Sequence, residues 1–174
     1  MPSHRVCLLM SCLVFLLAGV IDAHAQSWKK HRYVTDGFEV EFSGDVQVKP
    51  TTLSAETKKK VVRATDYMQD SGSYVYAVAA SLNKEGVNFD GGATASFAAL
   101  KCKTTTGDTP MTLPGAGRGR EFRGVDCHDG TMRAESRYYT TGKWFYQVIT
   151  LFKKDGGGEK AARYFLQSFK LIKK

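Results

Sequence analysis

The sequence predicts an α+β fold, in which helices pack on an antiparallel β-sheet. Two groups of alternating, strand-like segments are separated by one helical segment and followed by another. Tight turns rich in Gly and Asp join the strands within each group, which favours antiparallel pairing over parallel crossovers. No repeat or low-complexity linker interrupts residues 26–174, which are predicted to form a single domain.

The first 25 residues have the pattern of a secretory signal peptide. Arg5 gives a positive start, residues 6–21 form an apolar run, and Ala23-His24-Ala25 offers small residues for cleavage before Gln26. The run is shorter than the ~20 apolar residues of a transmembrane helix, although an uncleaved anchor is an open alternative. We therefore expect a periplasmic or secreted protein with no stable membrane insertion after cleavage.

The first half of the predicted domain is expected to be mostly strand. A basic stretch at residues 28–32 is expected to be frayed, and Gly37 then precedes a segment in which apolar and acidic residues alternate. A turn at residues 70–73 joins the last two strands into a long hairpin, and the second of these is apolar enough to be central. The predicted strands are residues 38–42, a short piece ending at Pro50, residues 57–68 and residues 74–82.

The hydrophobic period changes after the turn at residues 90–92. Residues 93–103 have apolar side chains at helical spacing and predict the first helix, with Asp90 or Thr94 as its cap. Glycines and prolines between residues 107 and 117 are expected to break up the chain. The remaining predicted elements are strands at residues 118–127, 132–140 and 144–153, and a second helix at residues 159–167.

Cys102 and Cys127 are the two cysteines that follow the signal peptide. An even pair in an exported chain is typical of a disulfide. Closing the loop between them is expected to contribute about 3.5 kcal/mol to the free energy of unfolding. A reactive or metal-binding thiol pair is the alternative, but no CxxC spacing supports it.

The order of these elements resembles the Mog1/PsbP-like α/β/α sandwich group, and within it small exported bacterial proteins. Ser43 stands where that group usually has a proline. The resemblance implies the sandwich fold and a binding or assembly role, and it carries over no catalytic residues. The residues that carry it are 37–44, 119–122, 137–139, 144–148 and 163–169.

Short motifs of enzymes are absent from the sequence. It contains no GxSxG, HExxH, Walker loop or dinucleotide fingerprint, and the glycine-rich residues 115–119 lead into a strand, whereas a phosphate loop opens a helix. His128, beside Cys127 and Asp129, suggests a metal or acid–base site, but a disulfide and an Asp-Gly turn account for its neighbours. We predict no catalytic residue, cofactor or metal, and an enzyme with a site near residues 115–123 is a rival hypothesis.

The formal net charge of +8 indicates an anionic partner. Alternation in the strand at 132–140 places two arginines and a tyrosine on one face, and such a basic-aromatic surface suits carboxylates or phosphates. The more frequent arrangement, in which the arginines are solvated or paired with neighbouring acids, is the alternative. The predicted binding residues are Arg118, Arg120, Arg123, Arg133, Arg137 and Tyr139.

These observations favour an exported binding or accessory module over an enzyme. Its expected partner is an acidic protein or an anionic envelope component. Nucleic acid fits the charge but not the exported compartment. Binding of anionic lipid or polyanion through charge alone is the alternative, and it predicts an affinity that falls steeply with salt.

Overall fold

A computed structural model describes residues 27–173, which contain ten β-strands and three α-helices. The strands are β1 (Lys29–Tyr33), β2 (Phe38–Phe42), β3 (Gln47–Pro50), β4 (Val61–Asp70), β5 (Tyr74–Asn83), β6 (Thr104–Met111), β7 (Arg118–Cys127), β8 (Met132–Thr141), β9 (Trp144–Lys153) and β10 (Lys170–Leu171). The helices are α1 (Ala55–Lys60), α2 (Phe89–Ala98) and α3 (Glu159–Ser168). The predicted signal peptide lies outside the described residues.

The strands form two antiparallel sheets, where the sequence predicted one. The large sheet has the order β3-β4-β5-β9-β8-β7-β6, and the small sheet has the order β1-β2-β10. Neighbouring strands of both sheets pair in antiparallel fashion, as the tight turns predicted. Antiparallel sheets with three helices make the chain α+β, with strand more abundant than helix. Within residues 27–173, no helix is long and apolar enough to cross a bilayer.

One face of the large sheet, here called the α3 face, is covered by the small sheet and by α3. Its core is aromatic: Phe165 on α3 stacks on Tyr76 with ring centroids 5.0 Å apart, and Tyr139 stacks on Phe169 at 5.7 Å. The alternating apolar residues of β2 point into the same core and are fully buried. The two sheets therefore share one continuous hydrophobic layer.

A buried polar network joins the small sheet to the large one. Asp36, only 3% exposed, accepts hydrogen bonds from the Tyr67 hydroxyl at 2.5 Å and from the Arg63 guanidinium at 2.5 Å. The Tyr146 hydroxyl donates to the backbone oxygen of Asp36 at 2.8 Å. A buried carboxylate needs such partners, so the network fixes how the sheets are placed.

The opposite face, here called the α2 face, is covered by α2 over β7, β8 and β9. Phe97 on α2 stacks on Phe122 with ring centroids 5.0 Å apart. The predicted disulfide between Cys102 and Cys127 is confirmed, and it ties the segment after α2 to the end of β7. A Cβ on Gly124 would lie 2.7 Å from the Cys102 sulfur, so only glycine allows this close packing.

Several predicted elements are confirmed in place. The strands at 38–42, 118–127 and 144–153 have the predicted bounds. The hairpin of β4 and β5 and the helix beginning at Glu159 are also present. Period-two alternation marks these strands and helical spacing marks α3, because each has at least one face in a core.

Two predictions in the first half of the domain were wrong. Residues 28–32 were expected to be frayed, but β1 pairs with β2 along its length, and the Tyr33 ring lies 4.0 Å from that of Tyr67. The strand predicted at 57–68 begins only at Val61. Ser54 accepts a hydrogen bond from the Thr57 amide at 3.1 Å and caps a short helix in which every residue except Thr57 is Ala, Glu or Lys, which favour helix.

Two further predictions, in the middle of the chain, were wrong. The first helix spans Phe89–Ala98 instead of residues 93–103, because Asn88 caps it by accepting from the Gly91 amide at 3.3 Å. The segment expected to be irregular contains β6, an edge strand that tolerates Pro110. The polar cap at Asn88 decided where the helix begins, and the edge position decided that β6 is a strand, although the pattern of apolar residues indicated otherwise.

Candidate functional site

The six predicted binding residues do not share one surface. Successive residues of a strand point to opposite faces, so Arg118 and Arg120 lie on the α2 face. Glu121 and its register partner Arg137 lie on the α3 face, beside the neighbouring basic residues of β7 and β8. The four predicted residues on the α3 face are Arg123, Arg133, Arg137 and Tyr139.

The two arginines on the α2 face are each bound to acidic side chains. Arg118 donates to both carboxylate oxygens of Asp90 at 2.9 Å, and its guanidinium lies 4.9 Å from the centre of the Phe89 ring. Arg120 donates to both oxygens of Asp108 at 2.7 Å. Hydrogen bonding to Asp108 is the main cause that raises the pKa of Arg120. The Arg120 guanidinium is therefore permanently charged, and the Asp108 carboxylate already balances that charge.

The arginines on the α3 face serve internal contacts as well. Arg123 and Arg137 donate to the two oxygens of Glu121 at 2.5 and 2.8 Å, and Arg137 also donates to the Leu166 carbonyl of α3 at 3.1 Å. Arg133 pairs with Glu159 at the start of α3. Tyr139 is 2% exposed and belongs to the aromatic core.

Two buried carboxylic acids beneath α3 have opposite pKa shifts. Burial by itself would raise the pKa of Glu121, but hydrogen bonds and charge from Arg137 and Arg123 outweigh it, and the pKa is lowered. Burial raises the pKa of Glu135, with Arg123 and Arg163 opposing. Glu121 thereby helps to hold α3 on the sheet, because its partner Arg137 also donates to the Leu166 carbonyl of that helix.

A large groove lies instead on the α2 face, where α2 leaves β4 and β5 uncovered within residues 27–173. Its volume is about 900 Å³. One wall is the side of α2 that carries Gly92, Ala95 and Ser96, and the other is the segment at 51–60 that contains α1. The floor is formed by alternating residues of β4, β5 and β9: Ala64, Asp66, Ala79, Ser81, Phe145 and Gln147.

The groove continues into a strip of half-buried apolar residues along the same face. Ala77 and Val75 follow Ala79 on β5, with Met68 beside them on β4 and Ile149 on β9. Together the groove and this strip form the surface we call the open half of the α2 face. It is mostly apolar, and its centre is made of small side chains.

Lysines from three separate segments meet at one end of the open half. The Lys84 amide donates to the Lys60 carbonyl at 2.8 Å, and the Asn83 amide donates to the Lys143 carbonyl at 2.9 Å. Lys60, Lys84 and Lys143 are exposed, and none lies in an ion pair with another described residue; we call them the lysine edge. By contrast, Lys59 pairs with Glu56 at 2.8 Å.

Two other depressions offer less to a ligand. One, of about 870 Å³, lies beside Trp28 and the start of α3, but Lys154 there pairs with Asp126, and the Tyr164 hydroxyl donates to Glu41. The other, of about 610 Å³, is lined by the paired Arg118 and Arg120. Within residues 27–173, no three His, Cys, Asp or Glu side chains are grouped so as to hold a metal.

Comparison with known proteins leaves the site to be judged by its geometry. No protein-family model matches the chain, and no curated protein matches it significantly.

The groove was not predicted from the sequence. Its signal was present in Ala77, Ala79 and Ser81, which put small side chains on one face of a hairpin strand. The lysine run at residues 58–60 is visible in the sequence, but its meeting with Lys84 and Lys143 requires the fold.

Proposed function

We propose that this domain is a non-catalytic binding module that holds an acidic partner protein on the open half of the α2 face. The observation that carries the proposal is the groove of about 900 Å³, which continues into an apolar strip of the sheet and has unpaired lysines at one end. Its size is in the range of ligand-binding clefts. Part of the same proposal is that the two-sheet architecture is a Mog1/PsbP-like α/β/α sandwich.

The lysines, rather than the arginines, are the charged residues available to a partner. Arginines that donate to Asp90, Asp108, Glu121 and Glu159 have little charge left for a partner. Unpaired lysines at a surface attract an acidic partner at long range and favour the correct orientation. The charge of the lysine edge thus supports an acidic partner, and the apolar strip of the open half supports a contact that survives salt.

Export of the protein is part of this proposal. Residues 1–25 have the signal-peptide pattern, and the Cys102–Cys127 disulfide suits an oxidising compartment such as the periplasm or the extracellular space. An acidic envelope protein would meet the domain there. Nucleic acid is not proposed as a partner.

Charge-driven binding to anionic lipid or polyanion is a second candidate. The lysine edge favours it, together with Lys58 and Lys59 of α1. However, lysines in the last turn of a helix also interact favourably with the helix dipole, which gives those of α1 a structural role. Contacts made by charge alone are lost at about 0.5 M salt, since screening is then strong.

The test is site-specific photo-cross-linking in an envelope extract. A photoreactive residue replaces Ala95, on the groove wall, or Thr109, an exposed residue of β6 on the opposite edge of the large sheet. We expect one protein adduct from position 95 that persists at about 0.5 M salt, and none from position 109. Equal adducts at both positions, or none at either, would contradict the proposal. Recovery of lipid or polyanion alone at low salt would support the second candidate.

A further inference from the structure

We infer that the partner segment in the groove is an amphipathic helix whose acidic residues lie at the lysine edge. This inference rests on the proposed binding function and specifies its ligand. It follows from the spacing of the sheet, the side chains of β5, the lack of backbone partners on a sheet face, and the charge at one end of the groove.

The spacing of the strands leaves room for one helix beside α2. Helix α2 lies over β7, β8 and β9, which places its axis near β8. Packed helices lie about 8–10 Å apart, and neighbouring strands about 4.8 Å apart, so a helix packed beside α2 would lie two strands away. Two strands from β8 in the sheet order is β5, the strand that runs along the middle of the open half.

The side chains of β5 suit a helix at this position. Ala77, Ala79 and Ser81 are small, while Met68 and Ile149 on the flanking strands are larger. This makes a trough that can accept one apolar ridge of a helix. From Val75 to Ser81 the trough is about 20 Å long, which equals about 13 residues of α-helix.

A sheet face offers no backbone hydrogen bonds to a bound chain, because those of β4, β5 and β9 are already used in pairing. An extended segment would leave its own amides and carbonyls unpaired against apolar residues, which is costly. A helix satisfies its backbone internally. A single lipid chain fits less well, since small ligands are mostly enclosed, whereas this surface is open and runs beyond the groove.

The charge at the ends of the trough sets the orientation of the partner's charged residues. Lys60, Lys84 and Lys143 lie at the end where β5 finishes, with Glu85 as the neighbouring acid in the chain. Farther along, Asp66 accepts a hydrogen bond from the Thr51 hydroxyl at 2.8 Å and lies opposite Lys49 in the register, so that part is balanced. Acidic side chains of the partner are therefore favoured at the lysine edge.

The experiment uses the purified, oxidised protein and two labelled synthetic peptides. Each is a 16-residue amphipathic helix with leucines on one face; one ends in three glutamates and its twin ends in three lysines. Binding is followed by fluorescence anisotropy at low salt, and peptide helicity by circular dichroism. We expect the glutamate peptide to bind at least ten-fold more tightly than its twin and to gain helicity on binding.

Variants separate the groove from the lysine edge. Ala95 is an exposed residue of α2 on the groove wall, so Ala95→Trp narrows the groove and is expected to weaken peptide binding at least ten-fold. The control is Ala98→Trp, because Ala98 is exposed on the same helix but does not line the groove, and it should change the affinity less than two-fold. The triple variant Lys60→Gln, Lys84→Gln, Lys143→Gln should reduce the glutamate peptide to the affinity of its twin. These lysines are exposed and unpaired, so folding is preserved, which thermal unfolding checks.

The outcomes distinguish the inference from the function on which it rests. If the two peptides bind equally and Ala95→Trp weakens both, acidic residues are not preferred at the lysine edge, and the groove is still a binding site. If the peptide binds without gaining helicity, the inference of a helical partner is wrong. Full displacement of the peptide by dodecanoate, a single lipid chain, would also contradict a helical partner. If neither peptide binds while the adduct at position 95 persists, the helix is wrong and the binding module stands. If the adduct at position 95 is also absent, both the helical partner and the binding module are wrong.

Discussion

The two faces of the large sheet are built for different tasks. On the α3 face, the small sheet and α3 bury a layer of aromatic rings and the Glu121 carboxylate, which Arg123 and Arg137 hold. On the α2 face, one ten-residue helix covers half of the sheet and leaves an apolar trough beside unpaired lysines. A large positive charge therefore does not by itself locate a binding surface, because most of the described arginines stabilise the fold.

Truncation of one apolar side chain on each face should separate the two faces most clearly. Phe165→Ala removes a fully buried ring that packs on Phe42 and Tyr76, and we expect a loss of about 3–5 kcal/mol in the free energy of unfolding. Ile149→Ala, on the open half, should cost about 1 kcal/mol, since its side chain is already partly in water. Urea denaturation measures both. Equal losses would show that the open half is packed as tightly as the α3 face.

Removal of the disulfide tests the covered half of the α2 face. The double variant Cys102→Ser, Cys127→Ser should lose about 3.5 kcal/mol of the free energy of unfolding, because the unfolded chain regains the freedom of the closed loop. Urea denaturation gives the loss, and amide hydrogen exchange locates it. We expect faster exchange in α2 and at the end of β7 than in β2. A uniform increase throughout the domain would contradict the separation of the faces.

A third test compares an arginine from each face. Arg137→Met leaves the buried Glu121 with one partner and should cost about 2 kcal/mol, since an uncompensated buried charge is strongly unfavourable. Arg118→Met breaks a pair in which both side chains are more than half exposed, and should cost about 0.5 kcal/mol or less. Similar costs in urea denaturation would mean that the two pairs are equally exposed to solvent in solution.

The pH dependence of stability sharpens the description of the α3 face. A raised pKa means that folded Glu135 holds its proton more tightly than unfolded Glu135, so its contribution is favourable in acid and is lost as pH rises through the raised pKa. Glu121, with a lowered pKa, contributes stability above its ordinary pKa that is lost as pH falls. Unfolding free energies measured from about pH 3 to 8 should therefore show Glu135→Gln stabilising and Glu121→Gln destabilising at neutral pH. A gain from Glu121→Gln would contradict this assignment.

The smallest effect is expected on the groove wall. Ala95→Trp and Ala98→Trp lie at exposed positions of α2, and each should change the free energy of unfolding by no more than about 0.5 kcal/mol. Only the first should weaken peptide binding. A large loss of stability from Ala95→Trp would show that this wall packs against the sheet instead of bounding an open groove.

Much of the fold was predictable because burial leaves a periodic trace in the chain. The strands β2, β7 and β9 and the start of α3 were located correctly, since their apolar residues recur at the period of the element. Helix α1 and strand β6 were missed. Their residues are largely exposed, so no apolar pattern marks them, and a cap or an edge position decides their structure.

The candidate site was less predictable than the fold. Arg118 and Arg137 are both basic residues on neighbouring strands, and nothing local indicates that Asp90 or Glu121 neutralises them. The groove combines β4, β5 and β9 with α2 and the segment at 51–60. Which side chains lie together there depends on the strand order, and that order is not written in any one segment.

The α+β class, the antiparallel pairing and the Cys102–Cys127 disulfide could be inferred from the amino-acid sequence, because hydrophobic period, turn residues and cysteine count act locally or through simple chemistry. The division of the strands into two sheets, the pairing of six arginines with acids, and the meeting of lysines from three segments beside an uncovered trough required the folded structure. Such features arise from contacts between residues far apart in the chain. Their energies depend on burial and distance, which exist only once the sheets are assembled.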